Sequence, residues 1–277
     1  MSARLTDVTV HYGGRVALDK VSLALPPGEV RAVVGGDGAG KTTLLRVLAG
    51  ALAPHSGEVD RPDATRIGYL PASSGTYPDL SVTENLDFAA TAYRVPAAVA
   101  RERTRRYLER TGLASASDRL AGNLSGGMRQ KLGVIQAMVH RPDLLVLDEP
   151  TTGVDPVSRA DLWWLIARAA AEGAAVVLST TYLDEAERAS RVLLLDHGRP
   201  LVEGTPEEIV AAVPGSLYRL DARPEGGRAR LAWRRGTSWR VWDPEGGGSG
   251  ERIVPDMQDA VTVAALAEEV RTGEPVG

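Results

Sequence analysis

The feature that most restricts the fold of this chain is a glycine-rich run, Gly35 to Thr42, with the sequence GGDGAGKT. The run follows a short apolar stretch, Val30 to Val34, and leads into a helical pattern that begins at Lys41. It satisfies G-x-x-x-x-G-K-[ST], in which glycines let backbone N–H groups surround phosphate oxygens. A strand, this loop and a helix in that order predict a phosphate-binding α/β fold.

The lysine of this loop is conspicuous because the chain uses arginine at nearly every other basic position. The only lysines are Lys20, Lys41 and Lys131. Lys41 is predicted to neutralise charge on the β- and γ-phosphates, and Thr42 to bind Mg²⁺ through its hydroxyl. The neighbouring residues predicted to contact the nucleotide are Gly35, Gly36, Asp37, Gly38, Ala39, Gly40 and Thr43.

Two carboxylates follow a second apolar run, Leu144 to Leu147. A buried strand that ends in Asp148 and Glu149 places both side chains at the carboxyl edge of the sheet, where ligands bind. Asp148 is predicted to hold a metal-bound water, and Glu149 to take a proton from the attacking water.

A third motif, Leu124 to Lys131, contains a Ser-Gly-Gly turn at the start of a predicted helix. Free backbone N–H groups and the positive end of the helix dipole converge at such a turn, so Ser125, Gly126 and Gly127 form a second anion-binding end. Two phosphate-binding ends on one chain suit a protein that sandwiches ATP between two subunits.

Composition narrows the class further. The chain has 277 residues, 43% of them apolar, which is enough for one large α/β domain with an appendage. No apolar run approaches the roughly twenty residues that span a bilayer, and the N-terminus lacks the apolar segment of a signal peptide, so we expect a cytoplasmic location. The net charge of −4 argues against nucleic acid as a partner, and the lack of cysteine excludes thiolate chemistry.

The order of elements predicts a domain at 1–213 and a small α+β extension at 214–277. The domain begins with antiparallel strands, Leu5 to Val10 and Val21 to Leu25, and contains a helical region at about 72–140 with a capping box at Ser81 and Glu84. Later strands alternate with helices, which indicates a largely parallel sheet. The other predicted helices are Lys41 to Gly50, Ala97 to Arg110, Ser158 to Ala171, Leu183 to Ala189 and Asp256 to Arg271. The other predicted strands are Arg66 to Leu70, Ala174 to Ser179, Val192 to Asp196, Leu217 to Leu220, Arg228 to Trp233 and Ser238 to Trp242.

The motifs stand in an order and at a spacing that resemble the nucleotide-binding subunits of ATP-binding-cassette (ABC) transporters, from about Ser2 to Ala212. The resemblance implies a P-loop NTPase core with a mixed sheet, an antiparallel β subdomain and a helical insert, and it implies ATP and Mg²⁺ as cofactors. By the same resemblance Tyr12 stacks on adenine, Ser125 and Gly127 touch the γ-phosphate of ATP held by the opposing subunit, and Asp155 lies in the loop that meets it.

Three segments are similar to the ATPases of drug-type exporters, and in particular to the first half of subunits that carry two ATPase units: Gly38 to Thr43, Leu124 to Leu132 and Ser179 to Glu187. This similarity implies two protein partners, an integral membrane permease and a second ATPase subunit that is either the same or another chain. The ATPase would then lie on the inner face of the cell membrane, with the permease docked near Ala72 to Thr91.

Two positions depart from the family pattern. The family's Gln after Tyr-Leu-Pro is Ala72 here, and its His after Ser-Thr is Thr181, a hydroxyl that remains a candidate catalytic group. Either Ser73, Ser74 or water compensates, or the site that contains Lys41 turns over slowly because fewer groups position water and phosphate.

Two other functions stay open at this point. One is a soluble ABC protein that acts on ribosomes or DNA, although such chains usually hold two cassettes or long coiled arms. The other is a non-hydrolysing regulatory subunit that mainly supplies its Ser-Gly-Gly turn to a catalytic partner. The proteins that co-purify with the chain would discriminate among the three.

Overall fold

The computed structural model describes residues 3–272, and within this range it contains thirteen strands and eight α-helices. The strands are β1 (Ala3–Tyr12), β2 (Arg15–Leu25), β3 (Val30–Val34), β4 (Ser56–Asp60), β5 (Ile67–Leu70), β6 (Leu144–Leu147), β7 (Ala175–Thr180), β8 (Arg191–Asp196), β9 (Arg199–Gly204), β10 (Ser216–Leu220), β11 (Ala232–Arg235), β12 (Ser238–Asp243) and β13 (Glu251–Ile253). The helices are α1 (Lys41–Ala49), α2 (Val82–Ala92), α3 (Ala97–Arg110), α4 (Gly126–Met138), α5 (Pro156–Ala171), α6 (Leu183–Ala186), α7 (Pro206–Ala211) and α8 (Met257–Thr272).

The central sheet has six strands in the order β5-β6-β7-β3-β8-β9, all parallel except the antiparallel edge strand β9. Its middle strands are continuous apolar runs because helices cover both faces. Leu44 of α1 packs on one face with Val33, and Leu162 of α5 belongs to the core on the other with Ala32. The carboxyl ends of β3, β6 and β7 therefore meet at one edge, where the predicted chemistry lies.

A second sheet, in the order β2-β1-β4, is antiparallel, as predicted from its first two strands. The apolar pattern predicts no strand between Gly50 and Arg66, whereas the structure begins β4 at Ser56 and pairs it with β1. The four residues after Ser56 lack an apolar alternation because most of the strand is exposed, so no periodic signal marks it.

The segment between β5 and β6 is helical and packs α2 against α4. The predicted capping box of α2 is confirmed: the Ser81 hydroxyl accepts from the Glu84 N–H at 3.2 Å, and the Glu84 carboxylate accepts from the Ser81 N–H at 2.7 Å. Helix α3 has the bounds that the sequence predicts. Helix α6 is shorter than predicted and ends at Ala186.

The C-terminal region forms a four-stranded antiparallel sheet, β11-β12-β10-β13, that packs Leu217 and Trp242 against Val263 of α8. The predicted strand Arg228 to Trp233 is wrong, because a 3₁₀ turn occupies Gly226–Leu231 before β11 begins. Within residues 3–272 no helix is both long and apolar enough to span a bilayer.

Helix α8 also contacts the large domain, because its Met257 and Ala260 join the core beside the central sheet. The boundary at about residue 213 therefore stays a prediction, since one helix stabilises both parts of the chain. The last five residues of the predicted extension lie outside the described range.

Candidate nucleotide site

The glycine loop passes from β3 to α1 with very little space around its backbone. A Cβ atom at Gly40, where φ is +104°, would lie 2.6 Å from the carbonyl oxygen of Ala17, and one at Gly35 would lie 2.4 Å from that of Leu195. Side chains are thus excluded at both positions. The loop is held close to β2 and β8 and leads into the start of α1; its Ala39 N–H donates to the Gly36 carbonyl at 3.2 Å.

Lys41 begins α1 and turns its side chain back over the loop. Its ammonium donates to the carbonyl oxygens of Gly35 at 2.8 Å and Gly36 at 2.9 Å, and it lies 3.9 Å from Glu149 Oε1. The side chain is only 5% exposed, so its charge sits in a poorly hydrated setting where attraction to phosphate is strong. This geometry suits the predicted role of Lys41, which is to neutralise charge on the β- and γ-phosphates.

Asp148 is the centre of a hydrogen-bond network at the end of β6. Its Oδ1 accepts from the Thr42 hydroxyl at 3.2 Å and from the Ser179 hydroxyl at 2.7 Å. The residue is 1% exposed, and Oδ2 has no hydrogen-bond partner. A buried, unpaired carboxylate oxygen beside a threonine hydroxyl fits the oxygen ligands and bound waters that Mg²⁺ prefers.

Glu149 has a left-handed backbone, with φ of +49°, which is costly for a residue with a Cβ and marks a constrained position. The Ser179 hydroxyl holds it by accepting its N–H at 2.9 Å. The side chain is 27% exposed and accepts from the Thr152 hydroxyl at 3.2 Å. One carboxylate oxygen therefore faces Lys41 while the group stays accessible to water, as a general base requires.

Lys41, Thr42 and Glu149 line one cleft of about 380 Å³, whereas Asp148, Gly35 and Gly36 do not belong to its lining. Tyr12, 47% exposed, shares the cleft with Lys41, Thr42 and Glu149. Its accessible ring matches the predicted stacking position. The other lining residues are Arg15, Val16, Ala17, Asp37, Gly38, Ala39, Gly40 and Thr43.

The Ser-Gly-Gly turn lies elsewhere, at the start of α4. The Ser125 hydroxyl accepts from the Met128 N–H at 3.2 Å, which caps this helix. A Cβ at Gly127 would lie 2.8 Å from the hydroxyl of Ser158 and 3.2 Å from a carboxylate oxygen of Asp155, so the starts of α4 and α5 touch. Ser125, Gly126, Gly127 and Asp155 are not among the residues that line the Lys41 cleft.

Asp155 caps α5 in the same way. Its Oδ1 accepts from the N–H groups of Val157 and Ser158, each at 3.0 Å. The hydrogen bonds from Ser158 and then Val157 lower the pKa of this carboxyl because they favour its charged form. The exposed end of α5 therefore carries a stable negative charge beside the Ser-Gly-Gly turn.

The two positions that depart from the family pattern stand apart from the Lys41 cleft. Thr181 is exposed and lines a neighbouring recess of about 250 Å³ with Gly35 and Gly36. Ala72 is also exposed, just beyond β5, whose Leu70 carbonyl accepts from the Asp148 N–H at 2.9 Å. Ser74 is buried with its hydroxyl 3.3 Å from that of Thr76.

Sequence reasoning gave no role to Ser179 or Arg15. Ser179 connects Asp148 to the backbone of Glu149, and a polar residue at the end of a buried strand is the signal that could have found it. Arg15 follows the hairpin turn after Tyr12, and only the folding of that hairpin over the glycine loop brings it to the cleft.

A glycine loop after one parallel strand and an acidic pair after another define a P-loop nucleotide-binding protein. The profile of the family described as ABC transporter matches residues 18–152. The chain is 38% identical to the daunorubicin/doxorubicin resistance ATP-binding protein DrrA of Streptomyces peucetius, over 79% of this chain and 69% of that protein. The chain belongs to the ABC transporter family, as an ATP-binding protein with an ABC ATPase domain.

Other similarities agree with this membership. The chain is 40% identical to the probable multidrug ABC transporter ATP-binding protein YbhF of Escherichia coli K12, over 78% of this chain, but it spans only 39% of that relative's length. The solved dimeric structure of MJ0796, a bacterial ABC transporter cassette, has a TM-score of 0.67 at 25% identity and covers 73% of this chain and 98% of that one. The predicted fold class and the resemblance to drug-exporter ATPases are confirmed. The ribosome-associated and regulatory alternatives receive no support.

Proposed function

We propose that this chain is the ATP-binding and ATP-hydrolysing subunit of a membrane exporter of the multidrug type. The observation that carries the proposal is the Lys41 cleft, which an ammonium, a glycine loop and an accessible base line together, with the buried Asp148 carboxylate bonded to Thr42 beside it. The transported class follows from the names of relatives such as YbhF and DrrA.

Hydrolysis follows from the groups already described. The backbone N–H groups of the glycine loop bind phosphate oxygens, and Lys41 exchanges the carbonyls of Gly35 and Gly36 for β- and γ-phosphate oxygens. Thr42 and Asp148 would hold Mg²⁺, which when bound neutralises charge on the phosphates. Glu149 accepts a proton from water as that water attacks the γ-phosphate. Tyr12 stacks on the base.

The second ATPase subunit completes the site, and the structure of this chain supports that idea through the separation of its two phosphate-binding ends. The turn of Ser125, Gly126 and Gly127 does not line the Lys41 cleft, so the N–H groups at this start of α4 would bind the γ-phosphate held by an opposing subunit. Asp155 lies beside it at the same surface. Association of the two subunits then depends on their contacts with the γ-phosphate. Hydrolysis removes these contacts, so the subunits separate.

The membrane permease docks on the helical region. Tyr77 and Phe88 are 47% and 50% exposed, and their rings contact each other edge to face at 4.8 Å. Exposure of two aromatic rings to water is unfavourable, whereas their burial against a partner protein is favourable, so this pair is suited to anchor the permease. In this arrangement the chain works in the cytoplasm, peripheral to the inner face of the cell membrane, with no role for nucleic acid.

Phosphate release from MgATP by the purified chain, alone and with its co-purified permease, tests the proposal. Glu149→Gln is expected to slow release by about 100-fold or more while nucleotide still binds, because the amide cannot accept the proton. Glu187→Gln is the matched control, since Glu187 is exposed and lies outside the cleft. Equal release by Glu149→Gln and the wild-type chain would reject hydrolysis at this site.

Purification from native membranes tests the exporter assignment separately. We expect an integral membrane protein to accompany the wild-type chain in mild detergent and to be lost from the Phe88→Ser variant. Recovery with ribosomes and without a membrane protein would contradict the proposed partner.

A further inference from the structure

Glu185, on α6, is a buried carboxylate outside the Lys41 cleft. The residue has 0% exposure, and its Oε2 accepts from two threonine hydroxyls, those of Thr151 and Thr180, each at 2.7 Å. Both threonines are themselves 1% exposed. The three side chains therefore form a closed polar contact that solvent does not reach.

The other oxygen of this carboxylate faces Arg159 on α5. Arg159 Nε lies 3.5 Å from Glu185 Oε1, an ion pair whose alignment is too poor for a hydrogen bond. The guanidinium also lies over the ring of Tyr182, 4.8 Å from its centre, and 3.7 Å from Asp184. Glu185 thus joins β7, α5 and the loop that follows β6.

The two threonines that Glu185 contacts lie in two chain segments that take part in the proposed ATPase function. Thr151 lies in the loop between the base Glu149 and Asp155. Thr180 ends β7 directly before Thr181, and its hydroxyl also accepts from the Tyr182 N–H at 3.0 Å, which fixes the backbone around Thr181. A single side chain therefore ties the loop that reaches the second subunit to the segment beside the phosphate loop.

Burial of a carboxylate is costly, and an apolar side chain of similar volume would often stabilise a core as well or better. Glu185 makes no contact with the cleft, so its charge performs no step of the reaction. We propose that Glu185 is a positioning residue that holds the 149–155 loop and the 180–182 segment in one arrangement, so that Glu149 and Asp155 act in register. The inference rests on the proposed ATPase function.

Kinetics of Glu185→Ala and Glu185→Gln give the first test. Loss of the carboxylate is expected to lower kcat about tenfold while KM for ATP stays within about twofold, because the phosphate loop is untouched. The glutamine variant, which keeps an acceptor for the two hydroxyls, is expected to fall between Ala and wild type. Glu187→Gln, two residues further on and exposed, is the matched control.

A double-mutant cycle separates positioning from general loss of stability. Thr151→Val removes one donor, so its effect on kcat should vanish when Glu185 is already Ala. Additive effects of the two changes on kcat would overturn the proposal. If Glu185→Ala fails to fold, Thr151→Val and Thr180→Val carry the same test, because each leaves Glu185 one of its two donors; we expect kcat to fall severalfold and the melting temperature to fall by only a few degrees.

Amide hydrogen exchange gives a readout that does not depend on turnover. In the Glu185→Gln variant, exchange is expected to rise in residues 150–154 and 180–184 and to stay unchanged in α1 and β3. Unchanged exchange in both segments, or a rise spread over the whole core, would overturn the positioning role. If the wild-type chain hydrolyses no ATP, the proposed function fails, while the exchange result still decides the role of Glu185.

Discussion

The two phosphate-binding ends of this chain are built in opposite ways. At the Lys41 end, the ammonium and Asp148 are almost fully buried, and side chains from β6, β7 and α1 bond to one another. At the Ser125 end, Ser125 and Gly126 are exposed while Gly127 is buried, and the Ser125 side chain bonds only within its own helix. The first end is assembled by one chain, whereas in the proposed dimer the second end takes its ligand from a facing subunit.

This contrast explains why the two ends should respond differently to substitution. A change at the Lys41 end disturbs a network that holds strain and buried charge, so binding, hydrolysis and stability should all respond. A change at the Ser125 end should spare nucleotide binding to the same chain and affect association of two subunits. The following substitutions test this difference between the Lys41 end and the Ser125 end.

The largest effect is expected from Lys41→Ala. Loss of the ammonium should weaken binding of MgATP by about 100-fold, or about 2.7 kcal/mol, because no other lysine reaches the loop. Titration calorimetry with a hydrolysis-resistant ATP analogue measures this affinity. Lys20→Gln, at an exposed lysine outside the cleft, is the control. If Lys41→Ala and Lys20→Gln bind the ATP analogue with similar affinities, Lys41 does not bind the nucleotide and the contrast between the two ends is wrong.

Ser179→Ala should have the next largest effect. It removes the acceptor for the Glu149 N–H and the 2.7 Å donor to Asp148, whose buried Oδ1 keeps only the Thr42 hydroxyl at 3.2 Å. We expect a loss of about 2 kcal/mol in the free energy of unfolding. We also expect kcat to fall about tenfold as Glu149 loses its anchor. Urea unfolding and phosphate release measure the two effects, and Ser115→Ala, at an exposed hydroxyl, is the control.

Gly127→Ala tests the Ser125 end. Its new methyl would meet Ser158 at 2.8 Å and push α4 from α5, at a cost of about 1 to 2 kcal/mol in unfolding free energy. Gly126→Ala is the control for stability, because a Cβ there meets nothing within 4 Å. Sedimentation with MgATP and the Glu149→Gln background should show weaker dimers for Gly127→Ala. Weaker nucleotide binding by the monomer would contradict the division between the two ends.

The smallest effect is expected from Ala72→Gln. If the Lys41 end turns over slowly because an amide is missing, the new side chain should raise kcat about threefold with KM unchanged. Steady-state phosphate release measures this change, with Glu187→Gln, at an exposed position outside the cleft, as the control. No gain would favour compensation by water or neighbouring groups.

The Lys41 end also shows which parts of the site can be predicted from the sequence and which cannot. The glycine loop and the acidic pair were found because their chemistry depends on neighbours along the chain, and α3 was bounded correctly because its apolar period is local. The roles of Ser179 and Arg15 were missed because they arise from strand order and from a hairpin folded over the loop. Strand β4 was missed because its exposed residues carry no apolar pattern.

The close contact between Gly40 and Ala17 has a consequence for selectivity. Glycine at position 40 lets the loop pack against Ala17, because a Cβ atom there would lie only 2.6 Å from the Ala17 carbonyl oxygen, and this packing keeps the hairpin that carries Tyr12 beside Lys41. If Tyr12 stacks on the base as proposed, a nucleoside monophosphate would be too short to reach Lys41, which would keep its hydrogen bonds to the carbonyls of Gly35 and Gly36. The proposed site would therefore select nucleotides by the length of their phosphate chain.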